Sequence, residues 1–131
     1  MKHRLSFGYF KVLSENILEV TADQGVEITL EMLDECNDFI SAHFKGDFGM
    51  LINRVNQYTY SFEAQLSVAS YGGLKALAFV YYSPESEKST KQLQKVRAVD
   101  KWNARLFSGL ELGWQNAYEW LQQELALVKT T

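Results

Sequence analysis

The sequence has few of the features that assign a protein to a functional class. It contains one cysteine, Cys36, so it cannot form an internal disulfide, and this favours a reducing compartment. It contains one proline and no low-complexity run, which leaves little room for a disordered linker. No apolar run reaches the ~18 residues that span a bilayer, and polar residues interrupt the N-terminus too early for a signal peptide. We therefore expect a cytoplasmic protein without a transmembrane segment.

An excess of basic residues is also missing. The chain has 13 Lys and Arg residues against 16 Asp and Glu residues, a net charge of −3. This charge argues against a nucleic-acid partner, since proteins that bind nucleic acid usually carry a clear basic excess. The length of 131 residues predicts one domain spanning the chain, 1–131, with a core large enough to fold without disulfides.

Spacings typical of catalytic or metal sites do not occur. His3 and His43 do not stand in a metal-binding pattern such as H-E-x-x-H. Cys36 falls near the apolar side of the first predicted helix, which favours a buried thiol over a nucleophile. The acidic residues of that helix are typical of a solvated face: Glu31, Asp34, Glu35 and Asp38. We predict a protein that is not an enzyme and has no cofactor or metal.

Hydrophobic patterning predicts an α/β fold. "YFKVL" and "ILEVTA" predict an N-terminal hairpin, and "GVEI" either extends its second strand or begins another. "FGMLINRV", "LKALAFVYY" and "ARLF" predict three further strands, the second of them apolar on both faces and therefore central. Helices are predicted from about Leu30 to Phe44, from Ser61 to about Tyr71, from Ser83 onward and at the C-terminus. This alternation predicts a mostly parallel sheet of about five strands with four helices.

The last predicted helix has the clearest local signature. Ser108 and Glu111 form an S-x-x-E capping box, with Phe107 and Leu112 placed as a hydrophobic staple. One apolar stripe then follows at helical spacing: Leu110, Trp114, Ala117, Leu121, Leu125 and Val128.

Four stretches resemble the SpoIIAA-like group of STAS-type domains: "ILEVTADQGVEIT", "MLINRVNQYTYSFEAQ", "KALAFVYYS" and "ARLFSGLELGWQNAYEWL". The resemblance implies a regulatory module that contacts other proteins. Classical members are switched by phosphorylation of a serine in a D-S-S-G-like motif between the third strand and the second helix. The matching segment here, "NQYTYSFEAQ", lacks that motif, and its nearest hydroxyls are Thr59 and Ser61. We therefore do not expect the phospho-switch, and we predict that Ser61 caps the second helix.

The same segment is the candidate ligand or partner site, because α/β folds often keep their sites at the carboxyl ends of strands. Asn53 and Arg54 alternate along the predicted strand, so at most one of them can face a given pocket. The candidate residues are Asn53, Arg54, Asn56, Tyr58, Tyr60 and Ser61.

A second candidate feature is a basic stripe formed by Lys88, Lys91 and Lys95 on one face of the third predicted helix. The stripe could face an anionic partner, such as a phosphorylated protein or a membrane surface. The favoured interpretation is the solvated face of an amphipathic helix.

Two functions follow from these features. The first is a non-enzymatic, STAS-like regulatory module that binds another protein or self-associates. The alternative is a carrier or sensor of a small apolar ligand or lipid, since aromatic residues make up 14% of the chain and concentrate around the middle strands. A likeness of the SpoIIAA-like group to CRAL-TRIO lipid-transfer domains implies the same alternative.

Overall fold

The structure is a computed structural model that describes residues 2–68, 73–97 and 103–130, with side chains up to residue 127. These residues form an α/β fold. Its strands are β1 (Lys2–Leu5), β2 (Gly8–Ser14), β3 (Ile17–Ala22), β4 (Glu27–Ile28), β5 (Phe48–Arg54), β6 (Thr59–Tyr60), β7 (Leu74–Tyr81) and β8 (Ala104–Ser108). Its α-helices are α1 (Leu30–His43), α2 (Phe62–Ser67), α3 (Pro84–Val96) and α4 (Gly113–Thr130).

The main sheet is mixed and has six strands in the order β1-β2-β3-β5-β7-β8. The predicted hairpin is confirmed, since β2 and β3 pair antiparallel. β3, β5, β7 and β8 are parallel to one another. The prediction of about five mostly parallel strands missed β1, which pairs antiparallel with β2 from Lys2 opposite Lys11 to Leu5 opposite Gly8. β1 has the sequence KHRL, and charged residues of this kind are common on edge strands because they hinder pairing with other chains. A strand rich in charged residues lacks the hydrophobic pattern by which strands are predicted.

A second sheet has two parallel strands, β4 and β6. "GVEI" therefore contributes to a new strand, one of the two possibilities left open by the sequence. Glu27 pairs with Thr59 and Ile28 with Tyr60, so this small sheet joins the segment after β3 to the segment after β5.

The helices divide unequally between the two faces of the main sheet. The three crossovers between parallel strands all advance in the same direction along the sheet, and crossovers share one hand, so α1, α2 and α3 lie on one face. Their buried residues share one core with Leu18, Ile52 and Phe79. α4 covers the other face, where its buried residues pack on Ile17, Leu51 and Val80.

β7 is an interior strand between β5 and β8, but it stands next to the edge rather than in the middle of the six-stranded sheet as predicted. Its side chains enter both cores: Leu77 and Phe79 pack on one face, while Ala76, Ala78 and Val80 pack on the other. None of the described helices combines the length and the apolar character needed to cross a bilayer.

Three helices begin where capping chemistry predicts. The side-chain oxygens of Thr29, Ser61 and Ser83 accept from backbone N–H groups at 3.4, 3.1 and 3.1 Å. α2 ends at Ser67, earlier than predicted, because Val68 leaves helical geometry. The rest of the predicted second helix, residues 69–72, lies outside the described residues.

The predicted capping box of the last helix is wrong. Ser108 makes no side-chain capping bond, residues Gly109–Glu111 form a short 3₁₀ helix, and Leu112 is left-handed at φ 60° before α4 begins. The chain is crowded at this turn: a Cβ on Gly113 would lie 2.0 Å from the Ser108 carbonyl oxygen.

The start of the predicted apolar stripe is wrong for the same reason. Leu110 and Leu112 precede α4 and are 76% and 70% exposed, so neither joins the core and no hydrophobic staple forms. The middle of the stripe is confirmed, since Ala117, Leu121 and Leu125 are buried and Trp114 packs against them. The side chain of Val128 lies outside the described residues.

Candidate functional site

An open cleft of about 410 Å³ lies at the carboxyl edge of the parallel strands. Its walls come from the segments that follow β3, β5 and β7. The lining residues are Gln24, Gly25, Val26, Arg54, Asn56, Gln57, Tyr58, Thr59, Glu85, Ser86 and Ser89. This edge is where open α/β sheets place their ligands, and the volume is within the range of small-molecule sites.

Hydrogen bonds join two walls of the cleft beyond the β4–β6 pairing. The Gly25 N–H donates to the Gln57 carbonyl at 2.6 Å, and the Gln57 N–H donates to Gln24 Oε1 at 2.9 Å. The Asn56 side chain donates to the Ala22 carbonyl at 2.9 Å. Gly25 has φ +80°, which glycine adopts without strain. These contacts hold the two loops in a fixed relation, so the cleft is preformed on this side.

Arg54 is the most buried residue of the lining, with 4% exposure. Its Nη1 donates to Thr90 Oγ1 at 2.7 Å and its Nη2 donates to the Tyr58 carbonyl at 3.1 Å. Its Nε is buried and has no hydrogen-bond partner. Of the carboxylates that the structure describes, none forms an ion pair with it.

Two tyrosines pack against this cation. The Arg54 guanidinium carbon lies 4.7 Å from the centre of the Tyr58 ring and 5.8 Å from that of Tyr60. The two hydroxyls are 3.3 Å apart. Burial raises the pKa of Tyr58, although the positive charge of Arg54 partly opposes this shift. The pKa of Tyr60 is raised well above its usual range by burial and, to a smaller extent, by the neighbouring Tyr58. Both phenols are therefore neutral at physiological pH.

The first turns of α3 form the third wall. Ser83 accepts from the Ser86 N–H, and Pro84 occupies the first turn, as the sequence predicts. The buried Ser86 hydroxyl has no hydrogen-bond partner. The Thr90 hydroxyl, which accepts from Arg54, donates to the Ser86 carbonyl at 2.7 Å. The helix start and the end of β5 are thereby connected.

The structure brings three of the six predicted site residues to the cleft: Arg54, Asn56 and Tyr58. The other three, Asn53, Tyr60 and Ser61, are not in its lining. Tyr60 lines a small apolar void together with Tyr58. Ser61 caps α2.

Asn53 lies on the opposite face of the sheet, as strand alternation requires. Its side chain donates to Glu19 Oε2 at 3.0 Å, and the Trp114 indole donates to the same oxygen at 2.7 Å. Burial raises the pKa of Tyr82 nearby, and Glu19 adds to that effect. These residues form a polar contact between the sheet and α4.

Sequence reasoning missed the contributions from the segments after β3 and β7, including Gln24, Glu85, Ser86 and Ser89. A signal for them exists, because the predicted strand "LKALAFVYY" is followed at once by the Ser83 helix start. Carboxyl ends of parallel strands meet at one edge, so the residues after this strand belong beside those after β5.

The lysines of the basic stripe, Lys88, Lys91 and Lys95, line a separate open surface depression of about 320 Å³ on α3. Lys91 forms an i,i+4 ion pair with Glu87 at 3.2 Å. Such an exposed pair is typical of a solvated helix face and contributes little stability.

The apolar void behind the tyrosines has a volume of about 30 Å³. It is lined by side chains of the larger core, among them Phe7, Cys36, Ile52, Tyr58 and Tyr60. A space of this size accommodates about one water molecule.

The histidines and the cysteine lie outside the cleft lining. Cys36 is buried in the larger core, and the His43 ring stacks on Phe39 with His3 at 5.2 Å. Within the described ranges, no group of three or more His, Cys, Asp or Glu residues is placed to hold a metal ion.

Comparisons with known proteins assign no family to the chain. No family model matches it, and no curated protein or solved structure matches it significantly. The resemblance to SpoIIAA-like STAS domains therefore stays a prediction.

Proposed function

We propose that this protein is a non-enzymatic, STAS-like binding module of the cytoplasm that holds a small molecule in the cleft and signals its presence to a partner. The observation that carries the proposal is the preformed cleft around the buried Arg54 side chain. The Ser86 hydroxyl is buried and has no base hydrogen-bonded to it in the described part of the chain. Binding is therefore better supported than catalysis.

A blocking variant tests this function. Ser89 is exposed and lines the cleft, so Ser89→Trp should fill the space without entering the core. Saturation-transfer NMR with a panel of small polar metabolites should identify binders to the unmodified protein that Ser89→Trp no longer binds. Ser41→Trp, at an exposed position on α1, is the matched control and should bind normally. A panel that never binds, or binding that survives Ser89→Trp, would contradict the proposal.

A second candidate function is protein contact through α2, including contact with another copy of this chain. Phe62 and Leu66 are 74% and 51% exposed and lie one turn apart on the same side of α2. Large exposed apolar side chains that adjoin one another often mark interaction surfaces. Sedimentation velocity should show self-association that weakens in Phe62→Glu and persists in Leu110→Glu, an equally exposed position beside α4. A monomer at all concentrations would remove self-association as the form of this contact.

The alternative function, carriage of a lipid, is less well supported than binding in the cleft. The apolar void behind the tyrosines has a volume of only about 30 Å³. Native mass spectrometry of freshly purified protein, followed by solvent extraction, tests it directly. A co-purified apolar molecule would favour this alternative over the cleft.

A further inference from the structure

The cleft contains a buried cation for which the described residues supply no anion. We infer that Arg54 receives an oxyanion, so that the cleft takes a small molecule carrying a carboxylate or a phosphate group. This inference rests on the proposed function and names the chemical class of its ligand.

The donor inventory of Arg54 is incomplete. A guanidinium group has five N–H donors, and the two contacts to Thr90 and to the Tyr58 carbonyl are both with neutral acceptors. Nε has no hydrogen-bond partner. The planar arrangement of these donors matches the oxygens of a carboxylate or phosphate group better than it matches single neutral acceptors.

Burial makes the missing anion energetically important. A charged group removed from water is strongly destabilising unless it is paired and hydrogen-bonded. The faces of Tyr58 and Tyr60 offset part of this penalty through cation–π attraction. An oxyanion entering the cleft would supply the remaining compensation, and the preformed walls would spare it the free energy of ordering the loops.

Further donors stand on the α3 wall. The Ser86 hydroxyl has no protein partner, Ser89 follows it one turn later, and both line the cleft. The first turn of α3 adds the positive end of a 13-residue helix. Because Ser83 already caps the Ser86 N–H, we expect the hydroxyl groups rather than that amide to contact the ligand.

Glu85 opposes an anion, since this acidic residue also lines the cleft. It is exposed to solvent, so its repulsion is screened. Its charge predicts the direction of one effect: Glu85→Gln should tighten anion binding.

The test is a heteronuclear NMR titration at constant ionic strength with two probes, inorganic phosphate and acetate. Saturable shifts are expected at the Arg54 Nε–H and at the amides of residues 54–59 and 85–89, with chloride as the control anion. The tighter of the two probes identifies the anionic group. The lysines of the basic stripe lie outside the cleft lining and report any binding driven by surface charge alone.

Variants locate the contact. Arg54→Met should weaken binding about 10- to 100-fold, as expected for loss of hydrogen bonds to a charged group. Ser86→Ala should weaken it about 2- to 10-fold, as for a neutral hydrogen bond, and it should fold normally because that hydroxyl bonds to nothing in the protein. Lys91→Gln is the matched control for loss of one positive charge and should leave the cleft shifts unchanged.

Several outcomes would overturn the inference. Saturable shifts confined to the basic stripe, affinity unchanged in Ser86→Ala and Arg54→Met, or weaker binding in Glu85→Gln would each contradict it. If neutral metabolites bind the cleft while phosphate and acetate do not, the inference is wrong and the proposed function stands. If nothing binds there, both are wrong.

Discussion

The Arg54 guanidinium donates from Nη1 to the Thr90 hydroxyl at 2.7 Å, and this contact joins the end of β5 to α3. Thr90 is fully buried, and its hydroxyl donates in turn to the Ser86 carbonyl. A strand end and a helix start therefore share one hydrogen-bonded link behind the cleft.

This link should be measurable as a coupling energy. Thr90→Val keeps the shape of the side chain but removes the hydroxyl, so we expect a loss of about 1–3 kcal/mol in the free energy of unfolding by urea denaturation. In an Arg54→Met background the same substitution should cost less, because the charged donor is already gone. Equal losses in both backgrounds would show that the two side chains are not coupled.

Helix capping provides a matched pair of serines. Ser83 accepts from the Ser86 N–H at 3.1 Å, whereas Ser108 makes no side-chain capping bond. Ser83→Ala should lower the free energy of unfolding by about 0.5–2 kcal/mol. Ser108→Ala should change it by less than about 0.5 kcal/mol, which is usual for a substitution that removes no specific interaction. Thermal or chemical denaturation decides, and an equal loss at Ser108 would restore the predicted capping box.

The hairpin requires a glycine at position 8. A Cβ there would lie 2.2 Å from the Thr21 carbonyl oxygen, which belongs to the paired strand. Because backbone must move, Gly8→Ala should lower the free energy of unfolding by about 1–3 kcal/mol, as for other overpacked sites. Gly46→Ala is the control, since a Cβ at Gly46 meets nothing within 4 Å. Identical denaturation midpoints for the two variants would argue against the observed β2–β3 register.

Acidification should release the contact between β1 and the segment after β3. Arg4 donates two hydrogen bonds to the Asp23 carboxylate, and this lowers the pKa of Asp23. A carboxylate whose pKa is lowered by folding stabilises the fold above its unfolded pKa of about 3.9 and loses that contribution as the pH falls through the folded value.

The comparison uses Arg4→Gln, whose deficit in stability should be present at neutral pH and disappear upon acidification below about pH 4. Because both side chains are exposed, the deficit should be small and should shrink at high salt. In an Asp23→Asn background, Arg4→Gln should show no such dependence on pH. A deficit that persists in acid would assign the effect of Arg4 to packing instead.

Local signals account for the parts of the fold that the sequence predicts well. The starts of α1, α2 and α3 follow from Thr29, Ser61 and Ser83, because a cap involves only backbone within three residues. The interior position of β7 and the covering of both of its faces follow from apolar residues on both faces. Ser108 and Glu111 show the limit of such signals. Their S-x-x-E motif predicts a helix cap, but the residues that follow Ser108 form a short 3₁₀ helix and Ser108 makes no side-chain capping bond.

Only part of the cleft could be predicted. Arg54, Asn56 and Tyr58 are identified because they lie at the end of a strand or just after it, but Glu85, Ser86 and Ser89 are about 30 residues further along the chain. Their approach depends on the parallel pairing of β5 with β7. The alternation of strands and helices indicates parallel pairing, but hydrophobic periodicity alone does not say which two strands are neighbours.

The sequence by itself determined the class of fold, the hairpin, the alternation of strands with helices and most helix starts, since each of these depends on neighbouring residues. The tertiary structure decided that Arg54 and Asn53 serve opposite faces, that β1 completes the sheet, and that Arg54 is buried among neutral partners. The physical reason is that burial and pairing arise between distant segments. The same arginine would be an ordinary solvated charge if α3 and the two tyrosines did not pack over it.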